Sequence, residues 1–198
     1  MPATSTTATT RVVIAEDEAI IRLDLKELLA EEGYEVVGET GRGDEAIELV
    51  RELHPDLVIL DIKMPGLDGL SAARYVAGER MAAVLILTAF SQRDLVEQAR
   101  DAGALAYLVK PFQKSDLIPA IEIALGRFAE LSALEREVAD LHERLEARKV
   151  VDRAKGVLMD DAGLTEQASW RFLQQQAMTN RVKIADIARR VVDGELSP

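Results

Sequence analysis

Leu57-Val58-Ile59-Leu60-Asp61 is an apolar run that stops on a carboxylate, and Ile62-Lys63-Met64-Pro65-Gly66 follows it. Four bulky aliphatic residues without polar alternation read as a strand buried on both faces. A carboxylate at the carboxyl end of such a strand lies where an open α/β sheet binds its ligand. Three further runs share the design. Val12-Val13-Ile14-Ala15 stops on Glu16-Asp17-Glu18, Leu85-Ile86-Leu87 on Thr88, and Tyr107-Leu108-Val109 on Lys110-Pro111. Four strand ends therefore carry acids, an acid, a hydroxyl and a lysine, a set that can hold a divalent cation beside a phosphoryl group.

Outward from these runs, the first part of the chain alternates strand-like and helical patterns. The patterning predicts strands near 11–16, 35–40, 57–61, 83–88 and 106–110, with helices near 19–31, 44–54, 70–76 and 92–102. Strict alternation of this kind implies a parallel sheet covered by helices on both faces. A fifth helix starts near Lys114–Asp116 and runs on well past the point where such a sheet needs it, because Pro119 is the only proline from Lys114 to Met159 and sits in the first turn. Along it, Phe128, Leu131, Leu134, Val138, Leu141 and Leu145 recur at spacings of three and four among charged residues. This is a narrow heptad-like seam, suited to pairing with another helix or, alternatively, to docking on the chain's own sheet domain. Residues 147–198 read as three short helical pieces that must pack as a small bundle to be stable.

Composition narrows the functional classes. Cysteine is absent from the 198 residues, which excludes thiolate chemistry and fits a reducing, cytoplasmic setting. No apolar run is long enough to span a membrane, and residues 1–10 read as a disordered tip rather than a signal peptide. The net charge of −11 is uneven: residues 1–125 carry 12 basic against 22 acidic side chains, whereas residues 147–198 carry 9 against 7. The acidic part argues against nucleic-acid contact there, and the basic tail permits it.

The strand-end residues, taken in order, resemble the receiver domain of two-component response regulators over roughly residues 11–125. The resemblance implies a doubly wound five-stranded parallel sheet of flavodoxin-like order 2-1-3-4-5, with Asp61 as the phosphoacceptor. It implies Mg²⁺ held by Glu16, Asp17, Asp61 and the main-chain carbonyl of Lys63. Thr88 and Tyr107 match the switch hydroxyl and aromatic, and Lys110-Pro111 matches a lysine before a cis proline. Glu16 departs from the aspartate that many receivers carry at that place. The implied partner is a sensor histidine kinase, and the only catalysis implied is the receiver's own phosphorylation and dephosphorylation.

The stretch Arg148-Lys149-Val150-Val151-Asp152-Arg153-Ala154-Lys155-Gly156-Val157-Leu158-Met159, with Ala168, Leu173, Ala177-Met178, Asn180, Ile187-Ala188 and Val191-Val192, resembles the ANTAR module of transcription antitermination regulators. Together the two parts resemble the phosphorylation-dependent antitermination regulators of actinobacteria. That resemblance implies an output domain over residues 147–198, reached through a helical linker at 126–146. It also implies binding to hairpin RNA in nascent transcripts and a homodimer formed on phosphorylation or RNA binding. Candidate phosphate contacts are Arg148, Lys149, Arg153, Lys155, Arg171, Arg181 and Lys183. Gly156 and Met159 fit either a continued dimer seam or a close approach of RNA. Trp170 is read first as a core residue and second as a stacking platform for an unpaired base. A DNA-binding response regulator is the alternative, disfavoured because the last helix offers Lys183 and then a mostly apolar face.

Overall fold

The computed structural model describes residues 9–89 and 93–198; most of the expected disordered tip at 1–10 lies outside the described residues. Two compact units divide between Ser132 and Ala133. The first is built from β1 (Arg11–Ala15), α1 (Ala19–Glu31), β2 (Glu35–Thr40), α2 (Gly43–Leu53), β3 (Leu57–Asp61), α3 (Gly69–Gly78), β4 (Ala83–Thr88), α4 (Arg93–Asp101), β5 (Ala106–Val109) and the start of α5 (Lys114–Ala162). All strand pairs are parallel, as the alternating pattern implies, and the order is β2-β1-β3-β4-β5, as the receiver resemblance implies.

Side-chain alternation along the strands sorts the core into two layers. Val13, Ala15, Val58, Leu60, Val84 and Ile86 point to one face, where they meet Ala46 and Val50 of α2, Ala73 and Val76 of α3 and Ala99 of α4. Val12, Ile14, Leu57, Ile59, Leu85 and Leu87 point to the other, against Leu25 and Leu29 of α1 and Leu117, Ile121 and Ala124 of α5. The three central strands are therefore buried along their length apart from Arg11, while β2 and β5 at the edges are only part-buried. The Tyr34 hydroxyl donates to Glu122 Oε1 at 2.7 Å, so the α1–β2 turn is also hydrogen-bonded to α5.

α5 is one helix of 49 residues. The sequence patterning divides this region into a fifth helix, a linker and the first helix of the terminal bundle, and the structure joins all three. Pro119 lies inside the helix, beyond the first turn where the pattern put it, so it forgoes one intrahelical bond without ending the helix. Gly126 and Gly156 each weaken a helix by only about 1 kcal/mol relative to alanine, too little to break it. The second unit packs the last part of α5 against α6 (Glu166–Asn180) and α7 (Ile184–Val192) around Val151, Ala154, Leu158, Leu173, Ala177, Ile187, Ala188 and Val191. Thr165 caps α6 by accepting from the Ala168 amide at 3.2 Å, the role its position predicts.

Truncating Ile121, fully buried between α5 and the sheet, should destabilise the first unit by about 2–5 kcal/mol in a denaturant melt of Ile121→Ala, the usual range for deleting a buried aliphatic side chain. A loss below about 1 kcal/mol would mean that the α5 contact is loosely packed.

Candidate functional site

β1 and β3 are neighbours, with Ala15 paired to Leu60, so the residues that follow each strand emerge side by side. This register brings Glu16, Asp17 and Asp61 together, and each offers a carboxylate oxygen within 4.8 Å of the others. Glu16 and Asp61 are buried, and Asp17 is exposed. β4 and β5 complete the corner: Thr88 pairs with Val109, and the Lys110 amide donates to the Thr88 carbonyl at 2.7 Å. A cavity of about 340 Å³ opens over this corner, lined by Asp17, Glu18, Asp61, Lys63, Thr88, Ala89 and Lys110.

Lys110 offsets part of the cluster's negative charge. Its Nζ lies 2.6 Å from Glu16 Oε2 and 2.9 Å from Asp61 Oδ1, and the Lys110 side chain is only 11% exposed. The Lys110-Pro111 peptide is cis. Burial works against the ammonium's charge, but the hydrogen bonds and charges of Glu16 and Asp61 outweigh it, so the pKa of Lys110 stays above the ordinary lysine value. Glu16 moves the other way for a carboxylate. Burial is the largest cause, Asp61 adds repulsion, Lys110 only partly offsets them, and its pKa is raised. Its Oε1 accepts from the Glu18 amide at 3.3 Å. Its Oε2 is in ion-pair contact with Lys110 but has no aligned hydrogen bond among the described residues.

Asp61 is held through both oxygens, since Oδ2 also accepts from the Lys63 amide at 2.8 Å. Gly69 matters to this placement, because a Cβ there would overlap the Asp61 carbonyl oxygen. Sequence patterning treats Gly69 only as a break between elements; nothing local in the sequence announces a tertiary approach of α3 to the end of β3. The Thr88 side chain hydrogen-bonds the Tyr107 hydroxyl, and Tyr107 is half-buried, with burial pushing its pKa up.

A cluster of three carboxylates with one under-satisfied buried oxygen fits a hard divalent cation. Glu16, Asp17 and Asp61 are the side chains able to hold Mg²⁺, which when bound supplies positive charge beside oxygens that carry negative charge.

The candidate RNA contacts separate into two groups. Lys155 is mostly covered, at 19% exposure, and pairs with Asp152 at 2.9 Å and Glu166 at 3.0 Å. Lys183 pairs with Glu143 at 2.7 Å, Lys149 with Glu146 at 2.8 Å, and Arg148 reaches Asp152 at 4.0 Å. Arg153, Arg171 and Arg181 are exposed and make no ion pair among the described residues. Trp170 is not a core residue: it is 42% exposed, because α6 buries the arc of Ser169, Leu173 and Ala177 instead.

Residues 12–122 match the response regulator receiver domain and residues 139–192 match the ANTAR domain. The chain is 60% identical over 184 residues to the transcriptional regulatory protein PdtaR of Mycobacterium tuberculosis, covering 92% of this chain and 89% of that protein. The chain is a two-component response regulator with an ANTAR domain. Its receiver part is 39% identical over 112 residues to the chemotaxis protein CheY of Thermotoga maritima, covering 56% of this chain and 93% of CheY. Among solved structures, it resembles the signal receiver domain of the NarL response regulator of Mycobacterium tuberculosis, with a TM-score of 0.57 and 30% identity over 60% of this chain and 97% of that one. Receiver domains bind Mg²⁺ at an acidic pocket, and this response regulator has an acidic cluster at Glu16, Asp17 and Asp61. Among the described residues, no helix is long and apolar enough to cross a membrane.

Removing the ammonium should leave two buried carboxylates uncompensated. Lys110→Met is expected to cost about 3–5 kcal/mol in the metal-free protein, the range for breaking a buried ion pair from one side. Added Mg²⁺ should recover more stability in the variant than in the parent, read as a larger rise in Tm. Equal melting of variant and parent without metal would contradict the charge account.

Proposed function

We propose that this response regulator is phosphorylated on Asp61 by a sensor histidine kinase and then binds hairpin RNA in nascent transcripts, preventing transcription termination. The observation that carries the first half is Lys110 in contact with both Glu16 and Asp61 at the carboxyl edge of the sheet. The ANTAR match over residues 139–192 supports the second half.

In this reading an Asp61 carboxylate oxygen attacks the phosphorus of a phosphohistidine. The O–P bond forms, the N–P bond breaks, and the imidazole leaves and takes up a proton. Glu16, Asp17, Asp61 and the main-chain carbonyl of Lys63 hold Mg²⁺. Lys110, already beside Asp61, pairs with the new phosphoryl oxygens, which carry more charge than the carboxylate it faced before. Thr88 exchanges its bond to Tyr107 for one to a phosphoryl oxygen, and Tyr107 is then free to change its packing.

The output domain spans residues 147–198, joined to the receiver at 11–125 by the helical segment 126–146. Leu134, Val138, Leu141 and Leu145 are exposed along one side of α5, and a second copy of the chain covers them on phosphorylation or RNA binding. Glu143, bound to Lys183 next to α7, lies off this seam. The DNA-binding alternative is weakened by α7 itself, which buries Ala185, Ile187, Ala188 and Val191 and places Asp186 in its first turn. A recognition helix needs the opposite chemistry there.

Asp61→Asn should fold normally and take up no phosphate, since the amide is nearly isosteric but not a nucleophile. Intact-mass measurement after incubation with an acyl-phosphate donor and Mg²⁺ checks this. A base-labile phosphate on the variant would place the acceptor elsewhere.

Alanine at Arg153, Arg171 and Arg181 together should weaken hairpin binding without loss of fold. The slope of log affinity against log salt should flatten by roughly 0.7–0.9 for each phosphate contact removed. Lys155→Ala, by contrast, should lower stability more than it lowers the salt slope, because Lys155 already has carboxylate partners. If Lys155 and the three arginines behave alike, the division between structural and RNA-facing bases is wrong.

A further inference from the structure

Asp17 differs from the other two carboxylates of the cluster in how it is held. Glu16 is held by Lys110 and the Glu18 amide, and Asp61 by Lys110 and the Lys63 amide. The Asp17 side chain is exposed and makes no hydrogen bond or ion pair among the described residues. Its place beside Asp61 is therefore set by its backbone, and the peptide chain leading into it has an anchor on each side. The Glu16 amide donates to the Thr40 carbonyl at the end of β2, at 3.0 Å. The Glu16 carbonyl, on the peptide that joins Glu16 to Asp17, accepts from Arg22 Nη1 at 2.5 Å.

Arg22 is the fourth residue of α1, and the first turn of that helix holds no acid. A cation at this end runs against the helix dipole, which favours negative charge there, so helix stability does not account for it. Ion pairing does not account for it either, because Arg22 forms no salt bridge among the described residues. The position does provide reach. Side chains on a helix tilt toward its N-terminus, so a long one near the start extends back over the residues that precede the helix. Here it reaches the carbonyl six positions earlier. The base of the side chain is firm: the Arg22 amide donates to the Glu18 carbonyl at 3.0 Å, and Leu25 and Leu29 bury α1 against the sheet. Gly41, just after β2, closes the other side. A Cβ on it would stand 3.6 Å from Arg22 Nη1 and 3.4 Å from Asp17 Cα.

We propose that Arg22 is the positioning residue for Asp17, holding the Glu16–Asp17 peptide so that the Asp17 carboxylate stays beside Asp61. The proposal rests on the reading of the cluster as a Mg²⁺ site and names a residue that acts on it from outside, through a main-chain carbonyl. Anchoring and charge predict opposite effects when Arg22 is removed. Loss of a nearby positive charge would by itself favour a divalent cation in the pocket. Loss of the anchor leaves Asp17 to be ordered at the expense of binding, which weakens the site.

The full chain is titrated with Mg²⁺ by calorimetry, without a phosphodonor, and the metal-free Tm of each variant checks its fold. Arg22→Met keeps the aliphatic stem and loses the donor and the charge. It should bind Mg²⁺ about 10-fold more weakly, the lower end of the range for removing a partner that orients a metal ligand. Arg22→Lys retains a donor on a long stem and should recover most of the loss. Arg22→Gln is too short to reach the carbonyl and should match Arg22→Met, so the test stands if Arg22→Met does not fold. Mg²⁺ binding by folded Arg22→Met or Arg22→Gln that equals or exceeds that of the parent would overturn the proposal, leaving Arg22 only its charge. Arg22→Lys as weak as Arg22→Met would overturn it too, because the donated hydrogen bond would then not be the anchor. No Mg²⁺ binding by the parent would sink the metal reading and the proposal with it, a result distinct from variants that bind as the parent does.

Discussion

Two buried carboxylates at one corner of a sheet repel each other, and the corner is stable only with a cation between them. Lys110 is that cation in this chain, in contact with Glu16 and Asp61 at once. The rest of the first unit serves the contact. Parallel pairing of β1 with β3 sets Glu16 beside Asp61, pairing of β3 with β4 and β4 with β5 sets Thr88 and Lys110 beside both, and the apolar layers on the two faces fix that register. A one-residue slip of any of these strands would turn its side chains to the opposite face and disperse the cluster.

The same contact explains why charge added at Asp61 would be felt elsewhere. A phosphoryl group brings more negative charge than the carboxylate it caps. Lys110 is then drawn between old and new partners, and Thr88, bonded to Tyr107, has a new acceptor within its surroundings. The proposed switch would thus redistribute ion pairs and hydrogen bonds already present, biasing Tyr107, a side chain that is only half-buried.

Much of this was legible in the sequence, for a definable reason. Strand ends in a parallel sheet are marked by the chain itself, where an apolar run meets a polar residue, so Glu16, Asp61, Thr88 and Lys110 could be found by reading along it. What was not legible depends on contacts between residues far apart. Lys183 meets Glu143 across 40 positions and Lys155 meets Glu166 across 11, and neither spacing is periodic. Both lysines therefore read as candidate phosphate contacts. Trp170 looked like core because large aromatics usually are; the structure fills that arc with Ser169, Leu173 and Ala177. The unbroken course of α5 was half legible, since no proline follows Pro119 along it, but three patterns along one helix suggested three elements.

The central claim is that charge chemistry at Asp61 governs RNA binding by the ANTAR unit. The most direct measurement is the affinity of the full chain for one hairpin RNA at one fixed salt concentration, with Mg²⁺ present throughout, before and after treatment with an acyl-phosphate donor. The account expects tighter binding after treatment, and no such change in Asp61→Asn. Equal affinities before and after, in a sample shown by mass to be phosphorylated, would contradict it.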